Sequence, residues 1–309
     1  MQDERLNPGT LYSPYIGVSC VENGKQSREI LSCYDEACAE LGLGLAGRKI
    51  MVGTATSFNH ILGLPVTHES RFTPLDRLAD IFTNHRRALN IVHLAFNGRS
   101  SFCHRDEVLK RIADAAGKNI HGIQINDGFP DRNFCFWTAV IRARFPHWRV
   151  IFNLSKAMEN VGKDLSLNVR PDRRCMKYAV RELAQAMRQF CPGVTDILVD
   201  ASGGKGVSLP LVAAKIFFNV FSDECPHLNV GFAGGLGPGK RLEVVSALSR
   251  EIGINFSIDA ETHIRDRRAD RLSLAKTKKY ILQSAKIFAE GSGVLSRMRL
   301  VPPPALSRV

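Results

Sequence analysis

Apolar residues in this chain fall in short runs that end on small or polar side chains, and these alternate with longer stretches where apolar positions recur every three or four residues. The runs at 15–20 (YIGVSC), 48–54, 89–96, 121–126, 149–154, 196–201, 229–234 and 255–260 read as parallel strands buried on both faces. Between strands five and six, Met176, Val180, Leu183, Met187 and Phe190 alternate at spacings of four and three, the stripe of a helix lying on a sheet. Helices are expected likewise at 27–42, 74–84, 105–116, 133–145, 209–222, 240–252 and 272–289. Eight strand–helix pairs in succession predict an α/β fold, a single (β/α)8 barrel.

The expected barrel spans 15–292, with an extension at 1–14 and a tail at 293–309, where Pro302, Pro303 and Pro304 favour extended backbone. Two connections are long for this architecture, 55–73 after strand two and 155–175 after strand five. The second carries Lys156, Lys163, Arg170, Arg173 and Arg174, as a lid over an anion would, or a basic surface loop. Segment 211–221 (LVAAKIFFNVF) is apolar nearly all round, which implies deep burial or contact with a second copy in a homodimer.

Composition narrows the class without selecting a function. Hydrophobic residues make up 44% of the 309 residues and charged ones 23%, ordinary for a globular chain. The net charge of +12 attracts anions of every kind, including sugar phosphates, nucleic acids and acidic membrane surfaces. No zinc-finger, RRM or KH pattern accompanies it, so no specific nucleic-acid partner is expected. The eight cysteines, at 20, 33, 38, 103, 135, 175, 191 and 225, form no CxxC pair. With no apolar leader or membrane-length run, this predicts a cytoplasmic protein without a membrane partner.

Barrel enzymes place their chemistry at the carboxyl ends of the strands. Here those ends supply Cys20, Thr54, His93, Asn97, Gln124, Asn126, Asn153, Asp200, Asp259 and Glu261. The segment Asp200-Ala201-Ser202-Gly203-Gly204-Lys205-Gly206 runs from a buried strand onto a carboxylate and then into glycines, which allow tight turns and close approach of backbone N–H groups to an anion. It lacks the Lys-Ser/Thr pair of a P-loop. Gly231-Phe232-Ala233-Gly234-Gly235-Leu236 repeats the pattern ahead of a helix, whose amino terminus suits a phosphate. Each glycine segment also reads as a plain turn.

Asp200 with Gly203-Gly204-Lys205-Gly206, Ala233-Gly234-Gly235-Leu236 and the strand end at Asp259 together resemble the last third of phosphoribosylanthranilate isomerases, over 196–265. The resemblance implies an acid–base isomerase acting on a phosphorylated pentose or related sugar derivative, without a cofactor or metal. It would make Asp200 the general acid and Cys20 the base. Substrate and phosphate contacts are then expected from Gly204, Lys205, Gly206, Gly234, Gly235 and Arg265, with Gln124, Asn126 and Asn153 on the facing strand ends. Opening an aminated furanose needs one proton donor and one acceptor, so this pair would suffice.

Two departures widen the reading. Val21 follows the cysteine where the family has glycine, and a buried cysteine is commonplace in a core. After strand eight the chain reads Glu261-Thr262-His263-Ile264-Arg265 in place of a Ser/Gly phosphate turn. Arg265 would offset Glu261 by pairing with it or with phosphate. Alternatively Asp200, Asp259 and Glu261 form a working carboxylate group in a lyase or hydrolase for a nucleoside-like ligand. A ligand-binding scaffold without activity is the non-enzymatic alternative.

Overall fold

The computed structural model describes residues 12–41, 45, 47–66, 71–95, 104–126, 132–155, 173–200, 206–266 and 268–299. Eight parallel strands close into a barrel in sequence order: β1 Tyr15–Val18, β2 Lys49–Ser57, β3 Ala88–Ala95, β4 Gly122–Asn126, β5 Arg149–Asn153, β6 Asp196–Asp200, β7 Asn229–Ala233 and β8 Ser257–Ala260. β1 pairs with β8 through Ile16↔Ile258 and Gly17↔Asp259, which closes the ring. All eight apolar runs thus became the expected strands, because a parallel strand covered on both faces has almost no polar positions to interrupt it.

Alternation along each strand divides the core in two. Tyr15, Met51, Leu89, Ile91, Ile151, Leu198 and Ala233 fill the barrel interior. The intervening residues, such as Val18, Val52, Val92, Ile123, Val150 and Phe232, face the surrounding helices. The helix Arg173–Phe190 buries Val180, Leu183, Ala184 and Met187, with Met176 and Phe190 at the edges of the same stripe. Helix Leu211–Glu224 buries Ala213, Ala214, Phe217, Val220 and Phe221 but leaves Val212 exposed.

Several boundaries differ from the sequence expectation, each for a local reason. β1 ends at Val18 rather than at 20 because Cys20 adopts a φ of +62°, turning the chain so that Val21 N–H donates to Gly53 O at 2.9 Å. The connection expected at 55–73 begins later: β2 runs to Ser57, which caps a short helix Phe58–Ile61 that buries both terminal side chains. The helix expected over 74–84 is a 3-10 turn, Leu75–Arg77, leading into Leu78–Ile81. It stops there because the amides of Asn119 and Asn90 donate to the carbonyls of Phe82 and Thr83, at 2.9 and 3.1 Å. Arg173 and Arg174, expected in the loop after strand five, open the helix Arg173–Phe190. The last helix, Leu274–Arg299, continues well past 289.

Among the described residues no helix is long and apolar enough to cross a membrane.

Candidate active site

The upper end of the barrel holds a cavity of about 170 Å3 lined by polar side chains from the ends of five strands. His93 comes from β3, Gln124 and Asn126 from β4, Asn153 from β5, Asp200 from β6, and Asp259 from β8, with Glu261 and Thr262 in the turn that follows. Gly234 and Gly235, directly after β7, complete the wall. These are the residues that alternation sends inward one level above the apolar interior. A polar cavity at the carboxyl ends of the strands is thus a consequence of register.

Space for the inward carboxylate and imidazole is made by glycines on the neighbouring strands. A Cβ on Gly17 of β1 would lie 2.5 Å from Asp259 Oδ1, and one on Gly53 of β2 would lie 2.5 Å from His93 Nε2. Asp259 is buried, and Ser19 Oγ donates to its two oxygens, each at 2.8 Å. Burial, together with the charges of Glu261 and Asp200, still raises the Asp259 carboxyl to about 8, so near neutral pH it carries a proton. Burial pushes the His93 imidazole down to about 3, so the ring is neutral across the physiological range. His93 Nε2 and Gln124 Oε1 are buried without a hydrogen-bond partner. Gln124 Nε2 donates to Asn126 Oδ1 at 3.0 Å, and Asn153 Oδ1 accepts from Ser155 N–H at 2.9 Å.

Seven of the expected site residues therefore share one cavity with Asp200: Asp259, Glu261, Gln124, Asn126, Asn153, Gly234 and Gly235. Cys20 does not line it. The thiol is buried beside Glu261, and burial and that carboxylate push its pKa well up, the opposite of what a thiolate base requires. Arg265 does not line the cavity. Its Nε donates to Asp270 Oδ1 at 3.0 Å, and its Nη2 donates to the Asp270 carbonyl, across a small hairpin of Arg265–Asp266 and Arg271–Leu272. It makes this ion pair with Asp270 and not with Glu261, one of the two partners expected for it. Gly206, with φ +72°, lies outside the cavity wall, and its carbonyl is 3.1 Å from His263 Nε2. Thr54 is occupied in holding the fold, its hydroxyl bonding Val21 O and Thr73. Gly204, Lys205 and Asn97 fall outside the described residues.

Ser19, Gly17 and Gly53 went unrecognised in the sequence. A signal for them existed: Gly17 and Ser19 alternate upward along β1, so they share the inward face with Asp259 once β1 and β8 are paired. Among the described residues, no three histidine, cysteine, aspartate or glutamate side chains converge closely enough to hold a metal ion.

No protein-family model matches the chain, and no curated protein does. Solved structures match in architecture at low identity. One is the enoyl reductase domain from the macrolactin biosynthesis cluster of Bacillus amyloliquefaciens, at 15% identity and a TM-score of 0.42, covering 85% of this chain and 57% of that one. Another is the Pyrococcus horikoshii ribulose-1,5-bisphosphate carboxylase/oxygenase, at 13% identity and a TM-score of 0.48, covering 97% and 65%. A third is the active domain 2 of Pyrococcus furiosus chitinase, at 11% identity and a TM-score of 0.48, covering 93% and 99%. The chain thus spans less than two thirds of the length of the first two. The (β/α)8 barrel itself is given by the closed ring of eight parallel strands.

Proposed function

We propose that the chain is an acid–base enzyme acting on a small hydroxylated ligand of the sugar class, with Asp259 as proton donor and Asp200 as proton acceptor. The observation that carries this reading is the convergence on one cavity of carboxylates from β6 and β8 opposite an amide wall of Gln124, Asn126 and Asn153. Amides and carboxylates together offer both donors and acceptors to sugar hydroxyls. No lysine or arginine lies among the described wall residues, so the wall beside the carboxylates favours a neutral hydroxyl over an anionic group. Two carboxyl groups whose surroundings separate their protonation can divide the roles of acid and base, and Asp259, which keeps its proton to about pH 8, takes the donor role. Glu261 maintains that proton through its negative charge and is available to a second ligand hydroxyl.

An isomerase-like reaction on a phosphorylated pentose is the second reading, and it has its own support. Gly234 and Gly235 line the same cavity with φ values of +96° and +65°, conformations that favour glycine, at the position where barrels often receive phosphate.

A thermal-shift screen of sugars and sugar phosphates, followed by turnover assays on the hits, tests both. Asp259→Asn and Asp200→Asn are expected to lower turnover about 10²–10⁴-fold while leaving ligand-induced stabilisation largely in place. The rate should fall as pH rises through about 8, where Asp259 loses its proton. Stronger binding and turnover of phosphorylated sugars would favour the second reading. Ligands that bind without being turned over, equally well in both variants, would overturn both in favour of a non-enzymatic scaffold.

A further inference from the structure

At the opposite end of the barrel, where the strands begin, lies a second cavity of about 420 Å3. Its wall includes Lys49, Arg86, His121, His147 and Arg149, and it contains no aspartate or glutamate among the described residues. Strand register brings these groups together. Lys49 opens β2 and Arg149 opens β5, while His121 immediately precedes β4 and its carbonyl accepts from Arg149 N–H at 2.8 Å.

The charges are unevenly compensated. Arg149 is buried and paired with Asp196, and His85 at the margin lies 3.0 Å from Asp35. Lys49 and Arg86 have no carboxylate partner among the described residues. Lys49 Nζ donates one hydrogen bond to Arg86 O at 2.6 Å, which leaves two of its three protons for another acceptor. His121 Nδ1 accepts from Asn90 N–H at 2.8 Å, so the neutral ring carries its proton on Nε2 and presents a donor. Burial and the charges of Lys49 and Arg149 push that ring's pKa down, which agrees with a positive field at the cavity.

We propose that this cavity at the amino ends of the strands is a second ligand site, for a small phosphorylated molecule held by Lys49 and Arg86 as charge partners and by His121 Nε2–H as a neutral donor. A phosphate group is an acceptor at every oxygen, and a wall of donors without carboxylates fits it. The volume lies within the range of pockets for small metabolites, so there is room for more than an isolated ion.

The test is titration of the full chain with inorganic pyrophosphate, followed by calorimetry and by NMR of the histidine rings. Saturable binding is expected, with the His121 and His147 ring signals moving and those of His93, in the upper cavity, remaining in place. Lys49→Ala and Arg86→Ala should each weaken binding about tenfold. Arg86 is exposed, so its replacement leaves folding intact. Asp200→Asn and Asp259→Asn should bind pyrophosphate as the unmodified chain does, which separates this site from the one above. Absence of binding, movement of the His93 signals instead, or unchanged affinity in both Lys49→Ala and Arg86→Ala would each overturn the proposal.

Discussion

At the scale of single residues, Asp259 and His93 work in opposite directions on stability. The folded chain holds the Asp259 proton up to about 8 against an ordinary value of 3.8, so between those limits the folded state binds more protons than the unfolded one. Stability from this group is complete below about 4 and is lost as pH rises toward 8. His93 is held neutral down to about 3 against an ordinary 6.5, so its contribution is complete above 6.5 and is lost as pH falls toward 3. Between about 4 and 6.5 the two slopes cancel. From 6.5 to 8, of these two groups only Asp259 acts, and stability should fall by an amount on the order of 1 kcal/mol per pH unit. Urea denaturation at a series of pH values is expected to give a lower midpoint at pH 8 than at pH 6.5 in the unmodified chain. Asp259→Asn should abolish that decline; a decline of the same size in the variant would assign it to other groups.

At the scale of elements, the site depends on β1 as much as on the strands that carry its carboxylates. Gly17 leaves the gap into which Asp259 reaches, and Met51 Cε lies 2.8 Å from where a Cβ would stand. Gly17→Ala should therefore displace Asp259 from Ser19 and from the cavity, reducing turnover at least tenfold with little change in secondary structure by circular dichroism. Activity within twofold of the unmodified chain would show that Asp259 tolerates the shift. This dependence also marks the limit of what the sequence made legible. A strand buried on both faces announces itself by an unbroken apolar run, so the existence and order of all eight were readable, as was the placing of Asp200, Asp259 and Glu261 at strand ends. The role of Gly17 required the register between β1 and β8, which pairs residues separated by most of the chain. Cys20 was misleading for a different reason: its positive φ carries no glycine to announce it. Arg265 was drawn away by Asp270 through a hairpin too short to show any hydrophobic period.

At the scale of the whole molecule, the barrel interior is layered, and the lowest layer is ionic. Above it lie the apolar residues Met51, Ile91, Ile151 and Leu198, and above those the polar cavity with Asp200 and Asp259. In the lowest layer Arg149 and Asp196 face one another with side chains only 4% and 2% exposed. Arg149 Nη1 also donates to Ser13 O at 2.8 Å, and Thr195 Oγ1 donates to Asp196 at 2.6 Å, so both ions are held by further hydrogen bonds. This pair joins β5 to β6, the strands whose upper ends carry Asn153 and Asp200, and ties both to the segment leading into β1. A buried pair contributes little relative to well-packed apolar residues, because its attraction is offset by the desolvation of two charges. Breaking it from one side is another matter, since the surviving charge remains buried without a partner. Asp196→Leu alone should therefore cost about 3–5 kcal/mol, as should Arg149→Met alone, whereas the double variant should cost less than either. Equilibrium urea unfolding of the four chains measures that coupling directly. Additive losses would mean that the two charges are independently solvated, and the lower end of the barrel would then be wetter than its burial implies.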